Sequence, residues 1–196
     1  MSNLYHQAKF ILGATALSQL PDCSTEVAFA GRSNAGKSTA LNTITQQRKL
    51  ARTSKTPGRT REINCFELDT ERYLIDLPGY GYAKVPEAMA KAWQKTLTQY
   101  LLERQSLKAV FILMDIRHPL TPHDWSMIEI LPESVNLHFV LTKADKLSRS
   151  QANKTLMSTA KTLEKHGIEA TVQTFSALSK DGLQDVWDTL DDYFKN

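Results

Sequence analysis

Along this chain, short runs of consecutive apolar residues alternate with longer stretches whose apolar positions recur every three or four residues. Val27 to Ala30, Tyr73 to Ile75, Ala109 to Met114, Leu137 to Leu141 and Thr171 to Phe175 read as strands buried on both faces. Ile63 to Leu68 alternates apolar and polar positions, as an edge or hairpin strand does. Pro86 opens a helical pattern that sets Met89, Trp93, Leu97, Tyr100 and Leu101 on one face. Thr121-Pro122-His123-Asp124 and Ser148 to Gln151 have the form of helix starts, and His166-Gly167 that of a helix end. Leu183, Val186, Trp187, Leu190 and Phe194 form the stripe of a last helix. Strand and helix in alternation predict an α/β fold: a mainly parallel six-stranded sheet with helices on both faces and ligands at the carboxyl ends of the strands. Trp93, Trp125 and Trp187 are expected in the core.

Composition narrows the picture. With 196 residues, 41% of them hydrophobic, and no repeat, biased tract or Pro/Gly-rich linker, one domain is expected. Cys23 and Cys65 have neither metal nor redox spacing and read as free thiols of a reducing cytosol. The five histidines offer no metal-ligand spacing, since HExxH is absent. Phe10 to Leu17 has the apolar character of a signal peptide, but it is short and no basic cluster precedes it, and no later stretch reaches membrane-spanning length. A soluble, unexported, cytoplasmic protein is expected. Net charge is +3, yet Arg48, Lys49, Arg52, Lys55, Arg59 and Arg61 lie in one acid-free segment, so the remainder is net negative. A polyanion would meet that segment first.

The chemistry begins at Gly31-Arg32-Ser33-Asn34-Ala35-Gly36-Lys37-Ser38. This stretch matches G-x-x-x-x-G-K-[ST] between a predicted strand and a predicted helix. Glycines let backbone N–H groups converge on phosphate oxygens, and the helix dipole adds positive potential. Lys37 would reach the β- and γ-phosphates, and the Ser38 hydroxyl would ligate Mg²⁺. Tyr73 to Gly79 is an apolar strand ending in Asp76-Leu77-Pro78-Gly79, a D-x-x-G whose weight comes from standing at a strand end. Asp76 would hold Mg²⁺ and the Gly79 N–H would bond the γ-phosphate. Thr142-Lys143-Ala144-Asp145 also ends a strand. A carboxylate accepts both donors of guanine's N1–H and exocyclic amine, a pair that adenine lacks, so Asp145 argues for guanine and the Lys143 stem would cover the base. Phe175-Ser176-Ala177 ends the next strand, where a backbone N–H would meet the guanine carbonyl.

In this order the motifs resemble those of the translation-factor-like GTPases. EVAFAGRSNAGKS, TSKTPGRTREINCF, LIDLPGYGYAKV and VLTKADKLS are similar to stretches of the EngB (YihA/YsxC) family of bacterial ribosome-assembly GTPases. The likeness runs from about Leu20 to the end of the chain. It implies a Ras-like fold, with a core over residues 24–196 and an N-terminal extension before it, and GTP hydrolysis with Mg²⁺. It further implies a role in large ribosomal subunit assembly and a need for the protein in growth, division and septation. Spacing does not separate Thr53, Thr56 and Thr60, but the resemblance selects Thr60 as the switch threonine. Thr60 would then join Ser38 and Asp76 around Mg²⁺, with Gly58, Arg59, Arg61 and Glu62 beside the nucleotide.

Where many GTPases carry a water-positioning glutamine, directly after D-x-x-G, this chain has Tyr80. Slow intrinsic hydrolysis is expected, completed by a partner or by another part of the loop. Asn34 stands where some related GTPases with an apolar residue in place of the glutamine hold K⁺; the alternative is that it shapes the loop. Lys37, Thr60, Gly79 and Asn34 are thus the catalytic candidates. The basic loop, with Lys84 beside it, is the surface expected to meet rRNA of a large-subunit precursor, and the protein is expected to act as a monomer. Two rival readings stand: a P-loop phosphotransferase, and an RNA-binding module whose nucleotide is structural.

Overall fold

The computed structural model describes residues 2–51, 62–81 and 87–195, with side chains described over 4–51, 62–81 and 94–195. Its strands are β1 (Lys9–Ala14), β2 (Thr25–Gly31), β3 (Ile63–Glu67), β4 (Arg72–Asp76), β5 (Leu107–Asp115), β6 (Asn136–Thr142) and β7 (Ala170–Thr174). The helices are α1 (Ser2–His6), α2 (Lys37–Ile44), α3 (Glu87–Glu103), α4 (Pro122–Ile128), α5 (Arg149–Lys165) and α6 (Leu183–Lys195). All strands join one seven-stranded sheet in the order β1-β3-β4-β2-β5-β6-β7. From β4 to β7 the neighbours run parallel, while β1-β3 and β3-β4 pair antiparallel.

The expectation of six strands is therefore corrected: the described residues form seven. The added strand is β1, which takes Lys9 and the first half of the apolar run Phe10 to Leu17. Its outer positions, from Lys9 to Ile11, are exposed, and its register against β3 slips between Phe10 and Leu12. An edge strand with a bulge carries no clean alternation and no buried run, so neither pattern marks it.

The central strands show why continuous apolar runs arise. In β2, Ala28 and Ala30 face one core while Val27 and Phe29 face the other; in β5, Val110, Ile112 and Met114 oppose Ala109, Phe111 and Leu113. Each strand is buried on both sides by helices. The first core takes Leu97, Tyr100 and Leu101 of α3, Met127 and Ile128 of α4 and Leu163 of α5. The second takes Tyr5 of α1, Leu41 and Ile44 of α2 and the whole expected stripe of α6. Trp187 is buried there and donates its indole N–H to the Ile44 carbonyl at 3.0 Å. Trp125 is half-buried against the first core, while the side chains of Met89 and Trp93, like Pro86, lie outside the described residues.

The helix signals hold at their ends. The Thr121 N–H and hydroxyl both donate to Asp124 at 2.7 Å, and Ser148 and Gln151 form a reciprocal box at the start of α5. Gly167, at φ 72°, follows the end of α5. Cys23 and Cys65 are free. Burial first, and Glu26 next, pushes their thiols up to about 11 and about 12.

Two polar groups inside this apolar frame generate tests. Glu26 is fully buried and receives Arg104 Nε at 2.9 Å, the Tyr100 hydroxyl at 2.9 Å and the Cys23 thiol at 3.1 Å. Arg104→Met leaves that carboxylate without its cation and is expected to lower the unfolding free energy in urea by about 3–5 kcal/mol; a loss below about 1 kcal/mol would contradict the assignment. His138 is buried between Thr171 Oγ1 at 2.6 Å and Gln173 Oε1 at 2.9 Å, and burial lowers its pKa from 6.5 to about 4. The unfolded chain binds the proton near 6.5 and the folded chain only near 4, so stability held above pH 6.5 is lost as the pH falls through that window. The slope there is about 1.4 kcal/mol per pH unit, and urea denaturation at several pH values should find it in the native chain and missing from His138→Gln.

Candidate functional site

β2, buried at every position, delivers Gly31 to the carboxyl edge of the sheet. A Cβ on Gly31 would stand 2.8 Å from the Leu113 carbonyl oxygen of β5, so only glycine lets the chain leave the sheet there. Arg32, Ser33, Asn34 and Ala35 turn the chain, with Asn34 at φ 65° and Gly36 at φ 89°, and α2 starts at Lys37. The Ala35 N–H donates back to Arg32 at 2.9 Å and the Ser33 N–H to the Tyr80 carbonyl at 3.0 Å. The N–H groups of Gly36, Lys37 and Ser38 find no acceptor among the described residues. Unpaired donors at a helix start, with the dipole behind them, make an anion site.

β4 lies beside β2 and ends on Asp76, which is 7% exposed. Its carboxylate pairs directly with the Lys37 ammonium, and Asn64 Nδ2 of β3 donates to it at 3.4 Å. The chain then keeps following β2: Leu77 N–H donates to the Phe29 carbonyl at 2.9 Å, Pro78 is buried, and Gly79 rests on the phosphate loop. A Cβ on Gly79 would sit 3.6 Å from the Gly31 oxygen and from the Ser33 nitrogen. Tyr80, in the glutamine's place, has its ring in the core and is 8% exposed. On the other side of α2, Asn42 exchanges two hydrogen bonds with the Ala51 backbone at 2.8 and 2.9 Å, clipping the root of the basic loop. Arg48 and Lys49 are exposed at that root, and so is Glu62 where the chain returns. Gly58, Arg59, Thr60 and Arg61, with Arg52, Lys55 and Lys84, lie outside the described residues.

Across β5, the end of β6 closes the arrangement. The Thr142 hydroxyl donates to the Ala35 carbonyl at 2.5 Å, tying the last residue of the strand to the phosphate loop. Lys143, at φ 58°, sends its ammonium to the Asn34 carbonyl at 2.7 Å and to Asp115 Oδ2 at 2.9 Å. Arg117 first, and Lys143 after it, hold the Asp115 carboxyl well below the usual carboxylate range. Asp145 follows, with Ser176 Oγ donating to its Oδ1 at 2.7 Å and the Lys146 ammonium 3.3 Å from its Oδ2. Those two contacts, the serine's first, lower its pKa. Ser176 is fully buried, Ala144 N–H reaches the Phe175 carbonyl at 3.1 Å, and Ala177 packs against the second core.

Each expected motif that is described thus reaches the same edge of the sheet. Sequence reading passed over Asp115, Asn64 and Asn42. Asp115 had a visible signal, since it closes the long apolar run of β5 as Asp76 closes β4; Asn64 and Asn42 had none beyond lying in motif-bearing segments. Among the described residues, no group of three or more His, Cys, Asp or Glu is placed to hold a metal ion, and no helix is long and apolar enough to cross a membrane.

This arrangement has known counterparts. A family described as 50S ribosome-binding GTPase matches residues 26–143. The probable GTP-binding protein EngB of Francisella philomiragia subsp. philomiragia is 52% identical over 97% of this chain and 99% of its own length. That of Salmonella newport is 49% identical over 99% of this chain and 94% of its own. Among solved structures, a probable GTP-binding protein engB shares the fold at TM-score 0.66 and 20% identity, over 87% of this chain and 99% of its own. Era, solved with MgGDPNP and part of 16S ribosomal RNA, shares it at TM-score 0.67 and 24% identity, over 86% of this chain and 56% of its own. By the family match and the near-full-length identity, this chain belongs to the EngB family of GTP-binding proteins and is a GTPase.

Proposed function

We propose that this protein is a guanine-nucleotide switch acting in assembly of the large ribosomal subunit, and through it in growth, division and septation. The observation that carries the reading is the convergence of the phosphate loop, Asp76 to Gly79, Thr142 to Asp145 and Phe175 to Ala177 on one edge of the sheet. It functions as one G domain over residues 24–196 with an N-terminal extension, as a cytoplasmic monomer. The N–H groups from Gly36 to Ser38 receive the phosphates, and Lys37 leaves Asp76 for them. Asp145, kept ionised by Ser176 and Lys146, selects the base while the Lys143 stem covers it. The family's partner points to RNA, and the exposed Arg48 and Lys49 begin the basic loop that would face it.

The donor set fits Mg²⁺. Ser38 and Asp76 offer hard oxygens beside the phosphate loop, which is enough for an ion that keeps waters and phosphate oxygens as its other ligands; Thr60 would add a third. An ion held there by Ser38 and Asp76 would supply positive charge against the phosphates. Asn34 is our candidate for K⁺. Its carbonyl is taken by Lys143, and its side-chain amide has no partner among the described residues. Because Tyr80 replaces the water-positioning glutamine, intrinsic turnover is slow.

Calorimetry with Mg²⁺ should show GDP and GTP binding and no competition from ATP. Lys37→Ala and Asp145→Asn should each weaken GDP by about 10²–10³-fold, since each removes charge-assisted hydrogen bonds. Unaltered affinity in both would refute the site, and ATP competing on equal terms would favour a phosphotransferase.

Purified large-subunit particles should bind the protein more tightly with a non-hydrolysable GTP analogue than with GDP, with affinity falling steeply across a salt series. Equal binding in both states would favour the RNA-binding module with a structural nucleotide. Turnover in K⁺ should exceed that in Na⁺ by about tenfold or more; equal rates would return Asn34 to loop shaping.

A further inference from the structure

The residue that replaces the glutamine makes a contact of its own. The Tyr80 hydroxyl donates to Asp124 Oδ1 of α4 at 2.8 Å, a bond buried from solvent, with Asp124 only 1% exposed. The other oxygen of that carboxylate is occupied at the helix start by the N–H and hydroxyl of Thr121. The Tyr80 backbone is stitched to the phosphate loop on both sides: its N–H reaches the Gly31 carbonyl at 3.4 Å and its carbonyl receives the Ser33 N–H at 3.0 Å. Gly81 follows at φ 80°, and a Cβ there would stand 3.1 Å from Arg32 and 3.2 Å from His123 of α4. One residue is therefore held by the loop through its backbone and by α4 through its side chain. The tyrosine is the donor, because burial, and next the Asp124 charge, pushes its pKa far above the ordinary value.

We propose that Tyr80 and Asp124 are a positioning pair for GTP hydrolysis: their bond fixes the Gly79 N–H over the phosphate loop and passes any movement of that amide to α4. The inference rests on the reading above that Gly79 meets the γ-phosphate. Tyr80 orients no water, because its hydroxyl is committed to the core. Its work is to tie the preceding amide to α4, so that the two keep one alignment. A γ-phosphate that draws Gly79 inward pulls the tyrosine with it, and the rigid hydroxyl-carboxylate link turns that displacement into a shift of the α4 start. α4 then becomes a second element, beyond the loops beside the nucleotide, whose placement follows the state of the site.

The experiment compares wild type with Tyr80→Phe, which keeps the ring and deletes the hydroxyl, and with Thr121→Val, which removes a cap bond from the same carboxylate and leaves the tyrosine's. Calorimetry measures GDP and GTP-analogue affinity, and single-turnover assays measure hydrolysis. Trp125, half-buried next to Asp124 and tilted on His166 at 4.7 Å, reports on α4, its emission isolated by subtracting the spectrum of Trp125→Phe. We expect Tyr80→Phe to lose about 5–20-fold in analogue affinity and in hydrolysis, against at most about twofold for GDP. It should also lose the Trp125 response that separates the analogue from GDP in wild type. Thr121→Val should lose thermal stability and keep the response. If Tyr80→Phe discriminates, hydrolyses and reports as wild type does, the pair is structural only and the inference falls alone. If wild type itself does not distinguish the two nucleotides, the functional reading falls and takes the inference with it.

Discussion

Where β2 gives way to the phosphate loop, the Gly31 backbone runs so close to β5 that a single added carbon would meet the Leu113 carbonyl at 2.8 Å. That approach sets the height at which the loop leaves the sheet, and the neighbouring strands are trimmed to it. Asp76 ends β4 beside Lys37, Thr142 ends β6 with its hydroxyl on the Ala35 carbonyl, and Lys143 reaches back over the loop to the Asn34 carbonyl. The phosphate loop and the stretch from Thr142 to Asp145 are hence two ends of one hydrogen-bonded assembly. Preorganisation of this kind lowers the ordering cost of binding, because the groups tied into it are already placed when a ligand arrives.

How much of this was legible in the sequence depends on what each residue had to satisfy. The parallel strands β2, β4, β5 and β6 were plain because burial on both faces removes polar residues, and the α4 and α5 starts because their caps need particular side chains at fixed offsets; β7, read as a doubly buried run, is instead an edge strand with no buried position. β1 was hidden: an exposed, bulged edge strand satisfies neither the alternating nor the continuous pattern. The phosphate loop and Thr142 to Asp145 were readable as residue types at spacings the chemistry demands. The network behind them was not. Asp115 holding Lys143, and Ser176 holding Asp145, are contacts between chain segments far apart in sequence, and no local pattern encodes such pairs.

Tyr80 shows the limit most clearly. In the sequence it registers only as a glutamine that is missing, one of two tyrosines in a glycine-rich turn. Nothing local says whether its ring faces solvent or core, since tyrosine suits both. The deciding feature is the carboxylate of Asp124, which its helix cap had already identified, though with only one of its two oxygens accounted for.

The bulge of β1 has a consequence beyond a miscounted strand. Phe10 and Ile11 are 52% and 42% exposed on the outermost strand of the sheet, which is where a passing unfolded chain would add itself by strand pairing. The register slip falls at that very pair, breaking the row of donors and acceptors such an intruder would need, and Lys9 places a charge beside it. The chain therefore carries two exposed apolar side chains on a ladder with a missing rung.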